Sequence, residues 1–251
     1  MSTTQMKQKR GIFGAPVSYI ALLAAVTAVL QLIPFSVVLG AGISFPLSLA
    51  VTGLVGILLG PWAGAVAVAI GSGIGVMIAP HTAWLGPLTV LVMVVTPIAS
   101  GLIVNGKRRW VGIYLIAASF IWWGLFIATN GFPKVWTSLL QPWRYLIPGL
   151  LLFTPVINEK AIRFLKSEKR LAMGVSLAYI IWVSGSVDHT LSSIIGNLIL
   201  FRMPEEVWSF LTLYIIGAER GVLALVGMVI GLGVMVGLRQ MGMTKPEMGV
   251  W

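Results

Sequence analysis

Long apolar runs separated by short polar or basic stretches make up most of this chain. Eight runs can be delimited, at residues 16–39, 43–59, 62–79, 84–105, 110–129, 145–158, 171–200 and 207–238. Most approach the roughly 20 residues with which an α-helix crosses a bilayer. None alternates apolar and polar positions with a period of two, so the pattern predicts helices rather than barrel strands. Because backbone amides in hydrocarbon must be satisfied within their own segment, we expect an all-α integral membrane protein, a compact bundle of six to eight transmembrane helices.

Basic residues between the apolar runs predict an orientation. They cluster before the first run and after the fourth, sixth and eighth runs: Lys7, Lys9, Arg10; Lys107, Arg108, Arg109; Lys160, Arg163, Lys166, Lys169, Arg170; Arg239 and Lys245. Short cytoplasmic loops are enriched in Lys and Arg, and eight crossings bring every cluster to the cytoplasm. We therefore predict a cytoplasmic basic tail (1–15), one bundle (16–240) and a cytoplasmic tail (241–251) in a multi-pass plasma-membrane protein. Six spans with a re-entrant pair are the alternative, since 62–79 and 145–158 are the weakest spans.

Composition agrees with a membrane protein and excludes several other classes. Hydrophobic residues make up 58% and charged residues 10% of the chain, whereas soluble domains carry about 25% charged residues. The net charge of +10 lies mainly between the runs, so it predicts contact with membrane lipid and not nucleic acid. The chain has no cysteine, only two histidines, no HExxH and no P-loop. We therefore predict no metal, no other cofactor and no enzymatic activity, ATP hydrolysis included.

Small residues recur at helical spacing in the first three runs. Ala21 and Ala25, and likewise Ala24 and Ala28, lie four residues apart, and glycines repeat this spacing at 56, 60 and 64 and at 71 and 75. On a helix such residues form a smooth stripe, along which another helix can approach closely in a bilayer. The turn LeuGlyProTrpAlaGly (59–64) separates the second run from the third. Ordinary packing inside one bundle would also use such stripes.

These alanines together with this turn resemble the substrate-binding (S) subunit of energy-coupling-factor (ECF) vitamin transporters. The resemblance covers about residues 16–105. In that family, alanines four apart on the first helix dock on a transmembrane coupling subunit, which works with two ATPase subunits. The resemblance implies that Ala21 and Ala25 have the docking role, with Ala24 and Ala28 as further candidates. It also implies a small water-soluble vitamin or related micronutrient as the substrate, captured from the outside and released inward.

Two charged dipeptides interrupt the last two apolar runs, AspHis at 188–189 and GluArg at 219–220. Asp188 and Glu219 each lie about twelve residues, or roughly 18 Å, from the outer ends of their consecutive helices. We therefore expect Asp188 to meet Arg220, or His189 to meet Glu219. Charges within a membrane face the bundle interior, where they pair or line a watery cavity. A pair that only fixes helix register and a pair that lines a ligand cavity both remain open.

Further residues near the outer ends complete a predicted substrate site. Ser192 and Asn197 would lie nearer the mouth of the cavity, where Asn197 could hydrogen-bond a polar ligand. His81 and Trp84 could cap the cavity, although such residues also anchor helices at membrane surfaces. Archaeal-type S subunits are similar here, with an Asp-His, a nearby Gly-Asn and a later Glu-Arg in their last two helices. The predicted substrate-binding set is Asp188, His189, Asn197, Glu219, Arg220, His81 and Trp84.

The predicted function is capture of a vitamin-like molecule for an ECF-type importer. The alternative is a stand-alone secondary transporter in which Asp188 or Glu219 is a proton-coupled carboxylate.

Overall fold

The computed structural model describes residues 11–38, 43–134, 139–202, 204–206 and 217–251. Nine α-helices lie within these ranges: α1 (Val17–Gln31), α2 (Leu49–Leu59), α3 (Pro61–Ile78), α4 (Leu88–Val104), α5 (Arg108–Asn130), α6 (Trp143–Leu151), α7 (Pro155–Leu165), α8 (Arg170–Ser192) and α9 (Gly217–Gln240). A π-helical segment, Ser193–Leu200, continues α8.

Four helical stretches are long and apolar enough to cross a membrane: Pro61–Ile78, Arg108–Asn130, Arg170–Leu200 and Glu219–Gln240. Three shorter apolar helices, α1, α2 and α4, accompany them. This confirms a helical, membrane-embedded protein. The third run, treated as one of the two weakest spans, is among the four, whereas the sixth is not.

The sixth run is divided into the short helices α6 and α7. Pro155 starts α7 and cannot donate a backbone hydrogen bond into a continuous helix. The Asn158 side chain compensates at the break by donating to the carbonyl oxygens of Leu151 and Thr154, each at 2.8 Å. Neither short helix reaches the length of a transmembrane span.

The first predicted span is too long, and a short β-hairpin follows it within the otherwise helical fold. Helix α1 ends at Gln31, and the chain then forms an antiparallel hairpin of β1 (Pro34–Val38) and β2 (Ile43–Pro46). Pro34 begins β1 and pairs with Pro46. Proline disfavours a helix interior, and the Phe, Val and Ile residues that follow suit extended backbone.

Helix α2 forms the centre of the bundle and packs against α3, α4, α8 and α9. Gly56 of α2 lies so close to the Pro97 carbonyl of α4 that a Cβ atom would overlap it, and Gly64 of α3 lies against Gly56. Gly71 and Gly75 of α3 make equally tight contacts with Ala24 and Gln31 of α1. The predicted close helix crossings at these glycines are confirmed.

Residues 246–250 close one end of the bundle against the turn between α2 and α3. The Val250 amide donates to the Ile57 carbonyl oxygen at 2.8 Å. Within a continuous helix the amide of residue 61 would bind this carbonyl, but residue 61 is proline and has no N–H. The Asn105 side chain also donates to the Met248 carbonyl oxygen at 2.9 Å. The region predicted as a cytoplasmic tail is therefore folded onto the bundle, at what we call the turn end. The opposite end, which carries the β1–β2 hairpin, is the hairpin end.

Candidate functional site: a cavity above a buried ion pair

Asp188 of α8 and Arg220 of α9 form an ion pair inside the bundle. The Arg220 Nη1 atom lies 3.3 Å from Asp188 Oδ2 and 3.4 Å from Oδ1. Asp188 is 2% exposed, and the Arg220 side chain is 12% exposed. The contact confirms the expected Asp188–Arg220 pairing, which followed from equal depth on two antiparallel helices. Such pairing offsets part of the cost of removing two charges from water.

A cavity lies directly above this pair and opens toward the hairpin end. Its lining comes from six parts of the fold: Phe45 and Pro46 of β2, Leu49 of α2, Thr82, Trp84 and Leu85 of the α3–α4 link, Thr89, Val92 and Met93 of α4, Asp188 and Ser192 of α8, and Arg220 of α9. The empty space including the mouth is about 360 Å³, of which about 30 Å³ admits the centres of water molecules. That is room for roughly two waters. A larger ligand therefore requires the rim to move outward.

Aromatic side chains form the rim of the cavity. The Trp84 ring centroid lies 5.2 Å from that of Phe201 and 6.3 Å from that of Phe45. The Trp84 indole also packs on the π-helical segment, where a Cβ on Gly196 would come within 3.0 Å of its Nε1 atom. Trp84 thus lies where a cap was predicted. His81 is exposed and does not contribute to the lining, which its neighbour Thr82 does.

A chain of buried polar side chains fixes the rim to the helices. Ser48 Oγ donates to Gln31 Oε1 at 2.6 Å, and Gln31 Nε2 donates to Thr82 Oγ1 at 3.1 Å. Thr82 in turn donates to the Ala79 carbonyl oxygen at 2.8 Å. The chain joins the end of α1, the start of α2 and the α3–α4 link. Sequence analysis missed these residues, although a lone glutamine in the apolar first run was a signal.

His189 belongs to a second polar cluster, which it forms with α6. Its Nδ1 atom lies 3.0 Å from Tyr145 Oη and 3.0 Å from Arg144 Nη2. Arg144 Nη2 also donates to Tyr145 Oη at 3.0 Å. Since a guanidinium can only donate, the histidine nitrogen facing it accepts. His189 therefore bonds to α6.

Arg144 is the main functional candidate that sequence analysis missed. It directly precedes the sixth apolar run, 145–158, and was assigned no role from the sequence. The structure instead begins α6 at Trp143, and this places Arg144 beside His189 in the bundle interior. An arginine immediately before a short, proline-interrupted run was the available signal.

Two side chains of α5 hydrogen-bond to α8 and its π-helical continuation, one before and one after residues 188 and 189 in the chain. Tyr114 Oη donates to the Val187 carbonyl oxygen at 3.4 Å, and Trp122 Nε1 donates to Ser193 Oγ at 2.9 Å. Trp122 is 1% exposed, so it packs inside the bundle. These contacts hold the α8 side chains at a fixed depth.

Glu219 and Asn197 are the remaining residues of the predicted substrate site. Glu219 is buried at 7% exposure beside Arg220. Asn197 belongs to the π-helical segment, but its side chain lies outside the described residues. Within the described ranges, Thr96 Oγ1 and Arg220 Nε are buried without a hydrogen-bond partner. The Thr96 hydroxyl lies beside Asp188 but outside hydrogen-bond geometry.

The alanines predicted for docking lie on two different faces of α1. Ala24 and Ala28 are 3% and 7% exposed and belong to the face packed on α3. A partner helix cannot reach them without separating α1 from α3. Ala21 and Ala25 are exposed, so the docking prediction now rests on these two residues.

No protein family, curated protein or solved structure matches this chain. The function of the site is therefore inferred from its own geometry.

Proposed function

We propose that this protein is the substrate-capturing membrane subunit of an importer of the ECF type. In this proposal, a small vitamin-like molecule enters the cavity from the hairpin end, which faces the outside. The observation that carries the proposal is the cavity itself, which places the Asp188–Arg220 pair beneath the Phe45 and Trp84 rim. A pair required only for helix register would need no such opening above it.

The composition of the cavity is that of a small-molecule site. Ligand sites are concave and mostly apolar, with a few polar groups that orient the ligand. Here Leu85, Val92 and Met93 provide apolar walls, while Asp188 and Arg220 provide the polar floor. The hairpin end also contains the aromatic contacts that must move to admit a ligand.

Release inward requires a transmembrane coupling subunit and two ATPases, which we propose as partners. Ala21 and Ala25 offer them a smooth exposed strip on α1, along which a partner helix could approach closely.

The docking assignment can be tested in the native membrane. Ala21→Trp and Ala25→Trp should abolish co-purification of the coupling subunit and ATPases and reduce uptake to background. Small molecules retained by the isolated chain, identified by mass spectrometry, should be unchanged. Val26→Trp is the matched control, since Val26 is also exposed on α1 but lies off the alanine strip. Normal uptake by both alanine variants would contradict the assignment.

A second candidate is a stand-alone proton-coupled transporter. The observation that favours it is the cluster of buried His189 and Tyr145 with half-buried Arg144, next to Asp188, because chains of titratable groups serve as proton relays in membranes. Uptake into proteoliposomes that contain only this chain, driven by an imposed proton gradient, would support this candidate over the first.

A further inference from the structure

Most polar side chains around the cavity already hydrogen-bond within the protein. Thr82 contacts Gln31 and Ala79, as described above. Thr89 Oγ1 accepts from the Leu85 amide at 3.0 Å, and Ser192 Oγ donates to the His189 carbonyl oxygen at 3.0 Å. The polar end of a ligand therefore has its best partners at the floor, and its body meets apolar and aromatic walls.

The floor offers a donor and an acceptor side by side. Arg220 Nε is buried and has no partner among the described residues, while Nη1 of the same side chain holds Asp188 at 3.3 Å. A buried guanidinium N–H without an acceptor is unfavourable, and a ligand oxygen that reaches it once the rim has moved outward would relieve this. The Asp188 carboxylate has more lone pairs than its two long contacts with Arg220 Nη1 occupy, so it can accept from a ligand N–H.

The formal charges of the floor cancel. Asp188 and Arg220 carry opposite charges, and so do Glu219, which precedes Arg220 in the chain, and Arg144, which contacts His189. A charged ligand would lose its hydration without meeting a net opposite charge, which is costly in a buried site. An uncharged group with adjacent acceptor and donor atoms can bind both members of the ion pair without that cost.

We propose that the cavity selects an uncharged ring compound whose polar end is an amide-type edge. Its carbonyl oxygen accepts from Arg220 Nε, its N–H donates to Asp188, and its ring lies between Met93 and the Trp84 rim. This inference rests on the proposed capture function and specifies the chemical class of the substrate.

Three probes with the same ring test the inference: benzamide, benzoate and benzylammonium. Binding to the full chain in nanodiscs is measured by saturation-transfer NMR at neutral pH, where the three are neutral, anionic and cationic. We expect benzamide to bind at least about tenfold more tightly than either charged probe, because each of these leaves one floor group unpaired.

Charge-changing variants sharpen the test. Asp188→Asn leaves a net positive floor and should shift the preference to benzoate, whereas Arg220→Gln should shift it to benzylammonium. A misfolded protein would lose binding of all three probes rather than exchange one preference for another. If both variants fail to fold, the order of the three affinities in the unmodified protein still decides the question.

A blocking variant separates failure of this inference from failure of the proposed function. Ser192→Phe fills the cavity and should abolish benzamide binding, while Thr129→Phe, at an exposed position of α5, should not. Stronger binding of a charged probe that Ser192→Phe abolishes would overturn the amide inference and leave the capture site intact. Binding of none of the probes, or binding insensitive to Ser192→Phe, would overturn both.

Discussion

The two ends of the bundle are held together by different kinds of contact. At the turn end, backbone lies against backbone: Gly56 meets the Pro97 carbonyl, Gly101 meets Pro61, and Gly249 meets the Leu58 carbonyl. At the hairpin end, side chains make the contacts around the cavity, through the Ser48–Gln31–Thr82 chain and the Trp84 rim. Backbone contacts can change only if whole helices move, whereas side chains can change rotamer. We infer that the turn end is a rigid base and that the mouth of the cavity, at the hairpin end, can change shape.

The Asp188–Arg220 pair lies between the two ends, and breaking it should have the largest effect. Arg220→Leu leaves a carboxylate buried without its partner, which costs about 3–5 kcal/mol of folding stability. Thermal unfolding of the detergent-solubilised protein measures the loss. The double variant Asp188→Leu/Arg220→Leu should recover most of the stability but bind no ligand. Recovery of both stability and binding would mean that the pair serves helix register alone.

A smaller loss is expected from a single methyl group at the turn end. Gly56→Ala forces the Pro97 backbone of α4 away, and such overpacking costs about 1–3 kcal/mol. Gly233→Ala is the matched control, because a Cβ there meets nothing within 4 Å. The control should be neutral or stabilising by roughly 0.5–1 kcal/mol. Equal unfolding temperatures for the two variants would contradict the rigid base.

A substitution at the mouth of the cavity should have the smallest effect on stability. It should nevertheless clearly increase the access of solutes to the cavity. Gly196→Ala should displace Trp84 and Leu85, since its Cβ would lie 3.0 Å and 2.8 Å from their side chains. The chain has no cysteine, so Ser192→Cys provides a single thiol in the cavity. Its alkylation by a water-soluble maleimide should be faster when Gly196→Ala is added. Thr52→Cys, at a position 1% exposed in α2, should stay unlabelled in both backgrounds; its labelling would show general loosening instead.

Sequence alone predicted the features that follow from counting residues along helices. The helical membrane fold, the close glycine crossings and the Asp188–Arg220 contact all depend on spacing, which a sequence displays directly. The number of spans and the orientation stay predictions, because the structure contains no membrane and α6 and α7 are each too short to cross one.

The end of α1 and the contacts between distant parts of the chain could not be predicted from residue spacing. The apolar run 16–39 does not reveal that α1 stops at Gln31, because β-branched residues suit both a lipid-facing helix and a strand. Gln31 and Arg144 are single polar residues in apolar surroundings, and nothing local specifies the partners they reach. The contact between Val250 and Ile57 joins residues far apart in the chain, so no local sequence pattern predicts it.

That last contact has a consequence for how the protein is made. Until the ribosome has delivered the residues that follow α9, Pro61 leaves the Ile57 carbonyl oxygen without its backbone donor, although α2 and α3 were synthesised long before. The turn between α2 and α3 is thus completed by a segment translated after α9, and the nascent bundle can reach its finished shape only once that segment has emerged.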